Sequence, residues 1–154
     1  MSKLYLNYDE TNKMIAQLIN IIKNCRIVLG KVVGIKNGGL NVSKPIAEAL
    51  DLPHKEILIS YYDNADHIED YPIVDMGDFK PSFGVLLVDD LIDSGATLKY
   101  FKDTTGMTQG DQFYVATLHW NKKGKFGQKP DFYIAEKTEW IVYPWEASEL
   151  CHDK

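Results

Sequence analysis

The stretch GVLLVDDLIDSGATLKYF, residues 84–101, decides how the chain reads. Val85, Leu86, Leu87 and Val88 form an unbroken apolar run, the pattern of a strand in the middle of a parallel sheet covered on both faces. The run ends in two adjacent acids, Asp89 and Asp90, and a third, Asp93, comes three positions later. The small-residue turn DSGAT then leads into a short helix over ATLKYFKDTTG.

That turn is suited to an anion. Backbone N–H groups at a helix N-terminus point outward unpaired and carry partial positive charge, so a phosphate is held there readily. Ser94 and Thr97 add hydroxyl donors, and Gly95 allows the backbone to approach a ligand closely. A phosphate beside three carboxylates is repelled unless something lies between them. Sugar hydroxyls and a hydrated Mg²⁺ would each serve, since carboxylates accept hydrogen bonds from a diol and Mg²⁺ takes oxygen ligands while keeping several waters. The plainer alternative makes Asp93 and Ser94 a helix cap and the other two acids solvated strand-end residues. It leaves unexplained why two adjacent acids close a buried strand.

Outward from this stretch, strand and helix alternate. KLYLNY reads as a short strand, and DETNKMIAQLINII places Met14, Leu18, Ile21 and Ile22 on one helical face, with Asp9 or Thr11 as cap. RIVLGKVVGI is a β-branched strand opening into the turn KNGG. VSKPIAEALDL spaces Val42, Ile46, Ala49 and Leu50 as a helix with Pro45 in its first turn. HKEILISYY is a further strand, leading to the acidic, aperiodic loop DNADHIEDYPIVDMGDFKPSF, longer than most ordered connections. DQFYVATLHW and PDFYIAEKTEWIVYPWE supply the last strands and an aromatic tail. The alternation predicts an α/β fold with a doubly wound, mainly parallel sheet, in which ligands bind outside the carboxyl ends of the strands.

Bulk properties narrow the function. A chain of 154 residues with 45% hydrophobic content suits one unit over 1–154 with one core. A net charge of -5 argues against a nucleic-acid partner, whose affinity rests on cationic side chains. Arg26 is the only arginine, so a phosphate site must use backbone amides, metal and lysine. Cys25 and Cys151 lack metal-knuckle spacing and read as unpaired thiols. No apolar run has the length of a signal peptide or a membrane span, so a cytoplasmic protein with no membrane partner is expected.

The segment VLLVDDLIDSGAT closely resembles the signature of type I phosphoribosyltransferases, which hold 5-phosphoribosyl 1-diphosphate. By that resemblance Asp89 and Asp90 hold the ribose hydroxyls with Mg²⁺ nearby. Asp93 lies close to N7 of a purine as general base, and Ser94, Gly95, Ala96 and Thr97 cradle the 5-phosphate. VVGIKNGGL is similar to the pyrophosphate loop, with Lys36, Asn37 and Gly38 in place. The xanthine-guanine enzymes carry an Arg where this chain has Asn37. ISYYDNADHIEDY corresponds to the flexible catalytic loop, with Ser60 and Tyr61 in the Ser-Tyr positions; His67 reads as a surface residue.

The two ends resemble bacterial xanthine-guanine phosphoribosyltransferases, including a small C-terminal hood over about 120–150. There Trp140 matches the residue that stacks on the base, a contact of about 1–3 kcal/mol, and the Ile141 backbone meets the base edge. Lys122, or Lys123 as second choice, is the lysine that reads the purine O6, though the spacing is one residue off. The resemblance implies transfer of 5-phosphoribosyl to a 6-oxopurine (guanine, xanthine or hypoxanthine) with release of pyrophosphate, as in purine salvage, by a homodimer or homotetramer. A regulator on the same fold that senses phosphoribosyl diphosphate or nucleotides, a pyrimidine phosphoribosyltransferase, and an enzyme of altered specificity are the alternatives.

Overall fold

The computed structural model describes residues 2–61, 63–64, 67–68 and 72–146. Its centre is a five-stranded sheet built from β2 (Lys31–Lys36), β3 (His54–Ser60), β6 (Ile73–Asp75), β7 (Val85–Val88) and β9 (Phe113–Ala116). The spatial order is β6-β3-β2-β7-β9, with every pair parallel except β3 and β6. From β2 the chain moves outward through α2 (Leu40–Leu50) to β3, whereas from β7 it moves the other way through α3 (Ala96–Thr105) to β9. Strand order therefore reverses between β2 and β7. At that point the connections leave in opposite directions and a crevice opens above the carboxyl ends.

Period-two alternation assigns the two faces. Val32, Leu86, Val88 and Ala116 pack with α1 (Tyr8–Asn24) and α2 in one core cluster. Val33, Ile35, Val85, Leu87 and Val115 pack with Leu98 and Phe101 of α3 in the other. All four residues of β7 are buried, as the apolar run requires of a strand covered on both sides.

Helix α1 starts earlier than its apolar pattern indicates. Asn7, not Asp9 or Thr11, is its cap: the Asn7 side chain accepts from the Glu10 N–H at 2.8 Å, and the Glu10 carboxylate accepts from the Asn7 N–H at 3.2 Å. This reciprocal capping box satisfies two otherwise unpaired donors. The buried stripe is Thr11, Ile15, Leu18 and Ile22, while Ile21 is exposed. In α2 the first turn begins at Leu40, which puts Pro45 in the second turn and not the first, and leaves Ala49 exposed while Ala47 is buried. Pro45 has no N–H to return to the carbonyl of Asn41, and Asn41 is exposed, which keeps that loss small.

Outside the central sheet, β8 (Leu91–Ile92), β10 (His119–Trp120) and β11 (Ala135–Glu136) make a three-stranded parallel sheet in the order β11-β10-β8. The chain ends pair as β1 (Lys3–Tyr5) and β12 (Trp140–Val142), also parallel, forming the small hood. The acidic loop contains an antiparallel pair, β4 (Asp63–Asn64) with β5 (His67–Ile68). The His67 side chain, the rest of that loop up to residue 71, and Cys151 lie outside the described residues. No helix among those described is long and apolar enough to cross a membrane.

Two substitutions test this packing by urea denaturation. Ile46→Ala, which empties a fully buried position on α2, should lower unfolding free energy by about 2–5 kcal/mol. Asn7→Ala should cost about 1 kcal/mol by loss of the cap.

Candidate active site

Strands β2 and β7 run side by side and in parallel, with Gly34 opposite Val88, so the segments leaving the two strands emerge at the same edge. Strand β2 ends at Lys36, half-buried, and is followed by the exposed Asn37, then Gly38 and Gly39 leading into α2; the Lys36–Asn37 peptide is cis. After β7 come Asp89 and Asp90, both half-buried. The two segments touch. A Cβ on Gly38 would collide with the Asp90 carboxylate, so only glycine allows this approach.

The acid pair is held by the backbone as well as by its neighbours. Asp89 N–H donates to the Ala116 carbonyl at 3.2 Å, and Asp90 N–H donates to Asp89 Oδ1 at 2.8 Å. Burial pushes both carboxyls above the usual carboxylate range, Asp89 furthest, with the charge of Asp90 beside it adding to the shift. At Asp90 hydrogen bonds, including one from Trp145, work against that rise. Holding two adjacent charges here is costly, and a ligand bringing hydroxyl donors or positive charge offsets the cost.

Strand β8 and the turn after it carry the chain past Asp93 to α3. Gly95 caps α3 with φ +89°, a left-handed conformation that favours glycine, and a Cβ there would meet Gln128 at 2.8 Å. Ser94 Oγ accepts from the Ala96 N–H at 3.2 Å. Ser94, Gly95, Ala96 and Thr97 line one cleft together with Asp89 and Asp93. The small turn, Asp89 and Asp93 therefore face a common space.

The hood supplies an aromatic surface. Trp140 remains 49% exposed, large for an indole in an otherwise packed region. Trp140 N–H donates to the Ser2 carbonyl and Leu6 N–H to the Val142 carbonyl, so the ladder to β1 runs through Trp140 and Val142. Adjacent residues of a strand direct their amides to opposite edges. Ile141, its side chain buried, thus turns its N–H and carbonyl to an edge that pairs with no strand among those described.

Comparison with known proteins fits this geometry. Residues 4–150 match the family model described as the phosphoribosyl transferase domain. The chain belongs to the phosphoribosyltransferases. Among similar proteins, the xanthine-guanine phosphoribosyltransferase of Cereibacter sphaeroides is 29% identical over 123 residues, covering 75% of this chain and 68% of its own. A purine phosphoribosyltransferase from Pyrococcus horikoshii superposes with TM-score 0.75 at 26% identity, covering 95% of each chain. The fold is also that of the Helicobacter pylori xanthine-guanine-hypoxanthine enzyme, with TM-score 0.68, 22% identity and 99% coverage of each chain.

Within this phosphoribosyltransferase fold, the expected site residues are distributed unevenly. Lys36, Asn37, Gly38, Asp89, Asp90 and residues 94–97 stand along the carboxyl edge of β2 and β7. Ser60 ends β3 on the same edge and is exposed; Tyr61 is half-buried against the α3-side core, where burial raises its phenol above the usual range. Lys122 and Lys123 are exposed on the rim of a neighbouring cleft. The lysine that meets Asp93 is Lys137, which the sequence pattern did not single out. Its Nζ lies 2.9 Å from Asp93 Oδ1 and 4.9 Å from the centroid of the Trp140 ring, and its side chain is only 12% exposed. Asn121 Nδ2 donates to the same Asp93 oxygen at 3.0 Å.

Metal binding at this edge would draw on the acid pair. Among the described residues no group of three or more His, Cys, Asp or Glu could hold an ion by itself. Two adjacent carboxylates at a strand end instead suit a hard cation that keeps waters and takes further oxygens from a ligand, as Mg²⁺ does. Asp89 and Asp90 fit that role.

Replacing one charge of the pair has a defined outcome. Asp89→Asn keeps an Oδ1 acceptor for the Asp90 N–H while removing a buried charge, so the ligand-free protein should melt several degrees higher at pH 7.5. A lower melting temperature would show that the pair is not under electrostatic load.

Proposed function

We propose that this phosphoribosyltransferase transfers the 5-phosphoribosyl group of 5-phosphoribosyl 1-diphosphate to a 6-oxopurine, releasing pyrophosphate. The observation that carries the reading is the convergence, at the reversal of strand order, of a glycine loop, an acid pair and a small-residue helix start. One ligand satisfies all three. Its 5-phosphate suits the N–H groups and hydroxyls of residues 94–97. Its ribose diol donates to Asp89 and Asp90, and its pyrophosphate faces the backbone amides of Gly38 and Gly39 with Lys36.

In the transfer, a ring nitrogen of the base bonds to C1 of the ribose as the bond from C1 to pyrophosphate oxygen breaks, and the purine N–H proton must leave. Asp89 and Asp90 fix the sugar, while the base lies on Trp140 with its edge toward Asp93 and the Ile141 backbone, so the reacting atoms are held in line. Asp93 accepts or relays the purine proton. A Mg²⁺ ion, which Asp89 and Asp90 would hold, would supply positive charge to offset the charge of the leaving group. Ser60 and Tyr61, at the carboxyl end of β3, border the sugar and help to exclude water from it.

A 6-oxopurine rather than a pyrimidine is favoured by the size of the exposed Trp140 face. Lys137 is the donor for the exocyclic oxygen, with Lys122 at the rim. A base that stacks on the face of Trp140 now covered by Lys137 draws the ammonium from Asp93 onto its own acceptor.

The direct test is incubation with phosphoribosyl diphosphate, Mg²⁺ and a panel of guanine, xanthine, hypoxanthine, adenine and uracil, with nucleotide formation monitored chromatographically. Product is expected with one or more 6-oxopurines, and no product with any purine would contradict the reading. Asp93→Asn should lower kcat by about 10²–10⁴-fold with an unchanged melting profile. Lys137→Met should raise the KM for the preferred base at least tenfold, whereas Lys122→Met should change it little; the reverse order would return the role to Lys122.

A further inference from the structure

The carboxyl edge is reached by a third segment that the transfer reaction leaves without a task. Trp145 lies three residues after β12, is 4% exposed, and stacks on Tyr143 with ring centroids 4.9 Å apart and planes 6° from parallel. Its indole N–H donates to Asp90 Oδ2 at 3.2 Å. Tyr143 holds the same aspartate by its main chain, donating its hydroxyl to the Asp90 carbonyl at 3.1 Å. That hydroxyl has one proton, so its oxygen accepts from the Nδ1–H of His119 at 2.8 Å, and burial pushes the His119 pKa down to about 4, toward the neutral form. The C-terminal segment thus grips Asp90 twice, at the carbonyl and at the carboxylate.

The second grip falls where the pyrophosphate loop passes. A Cβ built on Gly38 would meet the Asp90 carboxylate and would lie 3.2 Å from Trp145 Nε1. Three chain segments, distant in sequence, therefore close on one oxygen. An indole N–H can only donate, so it fixes which oxygen of Asp90 it engages and with it the orientation of the carboxylate. Without it the carboxylate can turn about its Cβ–Cγ bond, since Gly38 has no side chain to hold it in place.

We propose that Trp145 is a positioning residue for phosphoribosyl diphosphate: its N–H fixes Asp90 Oδ2 against the Gly38 loop and turns the other oxygen to the ribose. The inference rests on the phosphoribosyl diphosphate reading of the site. Packing alone does not account for the choice of residue, because phenylalanine could stack on Tyr143 equally well. What phenylalanine lacks is the donor.

The test is Trp145→Phe, compared with wild type and with Ile46→Ala, a core change remote from the site. Equilibrium binding of phosphoribosyl diphosphate with Mg²⁺ is measured by calorimetry, alongside KM for each substrate and the melting temperature. Trp145→Phe should weaken phosphoribosyl diphosphate about tenfold in both Kd and KM, the order expected for loss of one hydrogen bond to a charged group. The KM for the purine should stay within twofold, and Ile46→Ala should melt lower with unchanged affinity. A Trp145→Phe protein that melts lower but binds phosphoribosyl diphosphate as wild type does would overturn the inference while leaving the site reading intact. A wild-type protein that fails to bind phosphoribosyl diphosphate would remove both. Should Trp145→Phe not fold, the ¹⁵N-indole signal of Trp145 in the wild type, assigned by difference with Trp120→Phe and Trp140→Phe, is titrated with phosphoribosyl diphosphate and Mg²⁺. A shift on binding supports the role, and an unmoved signal at saturation overturns it.

Discussion

Everything at the site depends on the parallel pairing of β2 with β7. Because the two strands share register, with Lys31 opposite Val85 and Gly34 opposite Val88, the glycine loop and the acid pair are delivered to one edge within contact of each other. Because the connections depart in opposite directions, α2 to one side and α3 to the other, neither of these helices crosses the gap above them. The glycine turn that enters α2 and the small-residue turn that enters α3 both begin beside that gap. An anion site and a carboxylate site side by side are thus a product of topology, before any side chain is considered.

The side chains add an electrostatic problem that a ligand resolves. Asp89 and Asp90 stand beside each other and are pushed by burial toward the protonated form. In a protein selected for stability alone this would be a poor arrangement, and such load at a cleft is characteristic of functional sites. The chain manages it with hydrogen bonds from the backbone and from the C-terminal aromatic segment, stiffened by the stack of Tyr143 on Trp145. The hood therefore has two faces: the Trp140 ring stands exposed on one, while Tyr143 and Trp145 turn inward to Asp90.

Much of this was legible in the sequence because it is local. The run Val85 to Val88 carries its own burial pattern, and the acids and the small turn come within a few residues of it. The cap of α1 is not legible because Asn7 precedes the apolar periodicity, nor is the position of Pro45, because α2 begins at Leu40, two residues before the apolar spacing that starts at Val42. Lys137 was not legible for a different reason. It reaches Asp93 across 44 positions and Trp140 around a bend at 138–139, and only tertiary structure brings these together. Its main chain is anchored by the Lys137 N–H donating to the Trp120 carbonyl at 2.8 Å, a contact no periodicity announces. The link from Trp145 to Asp90, 55 positions apart, is hidden in the same way.

The central claim is that one ligand with two unlike ends spans the β2 and β7 strand ends. Calorimetric competition tests it most directly: wild-type protein is titrated with pyrophosphate and with ribose 5-phosphate, each with Mg²⁺, alone and against phosphoribosyl diphosphate. The account predicts that each half binds weakly alone and that each displaces the intact compound from a single site. Binding of both halves without displacement of phosphoribosyl diphosphate, or no binding of the intact compound at all, would contradict it.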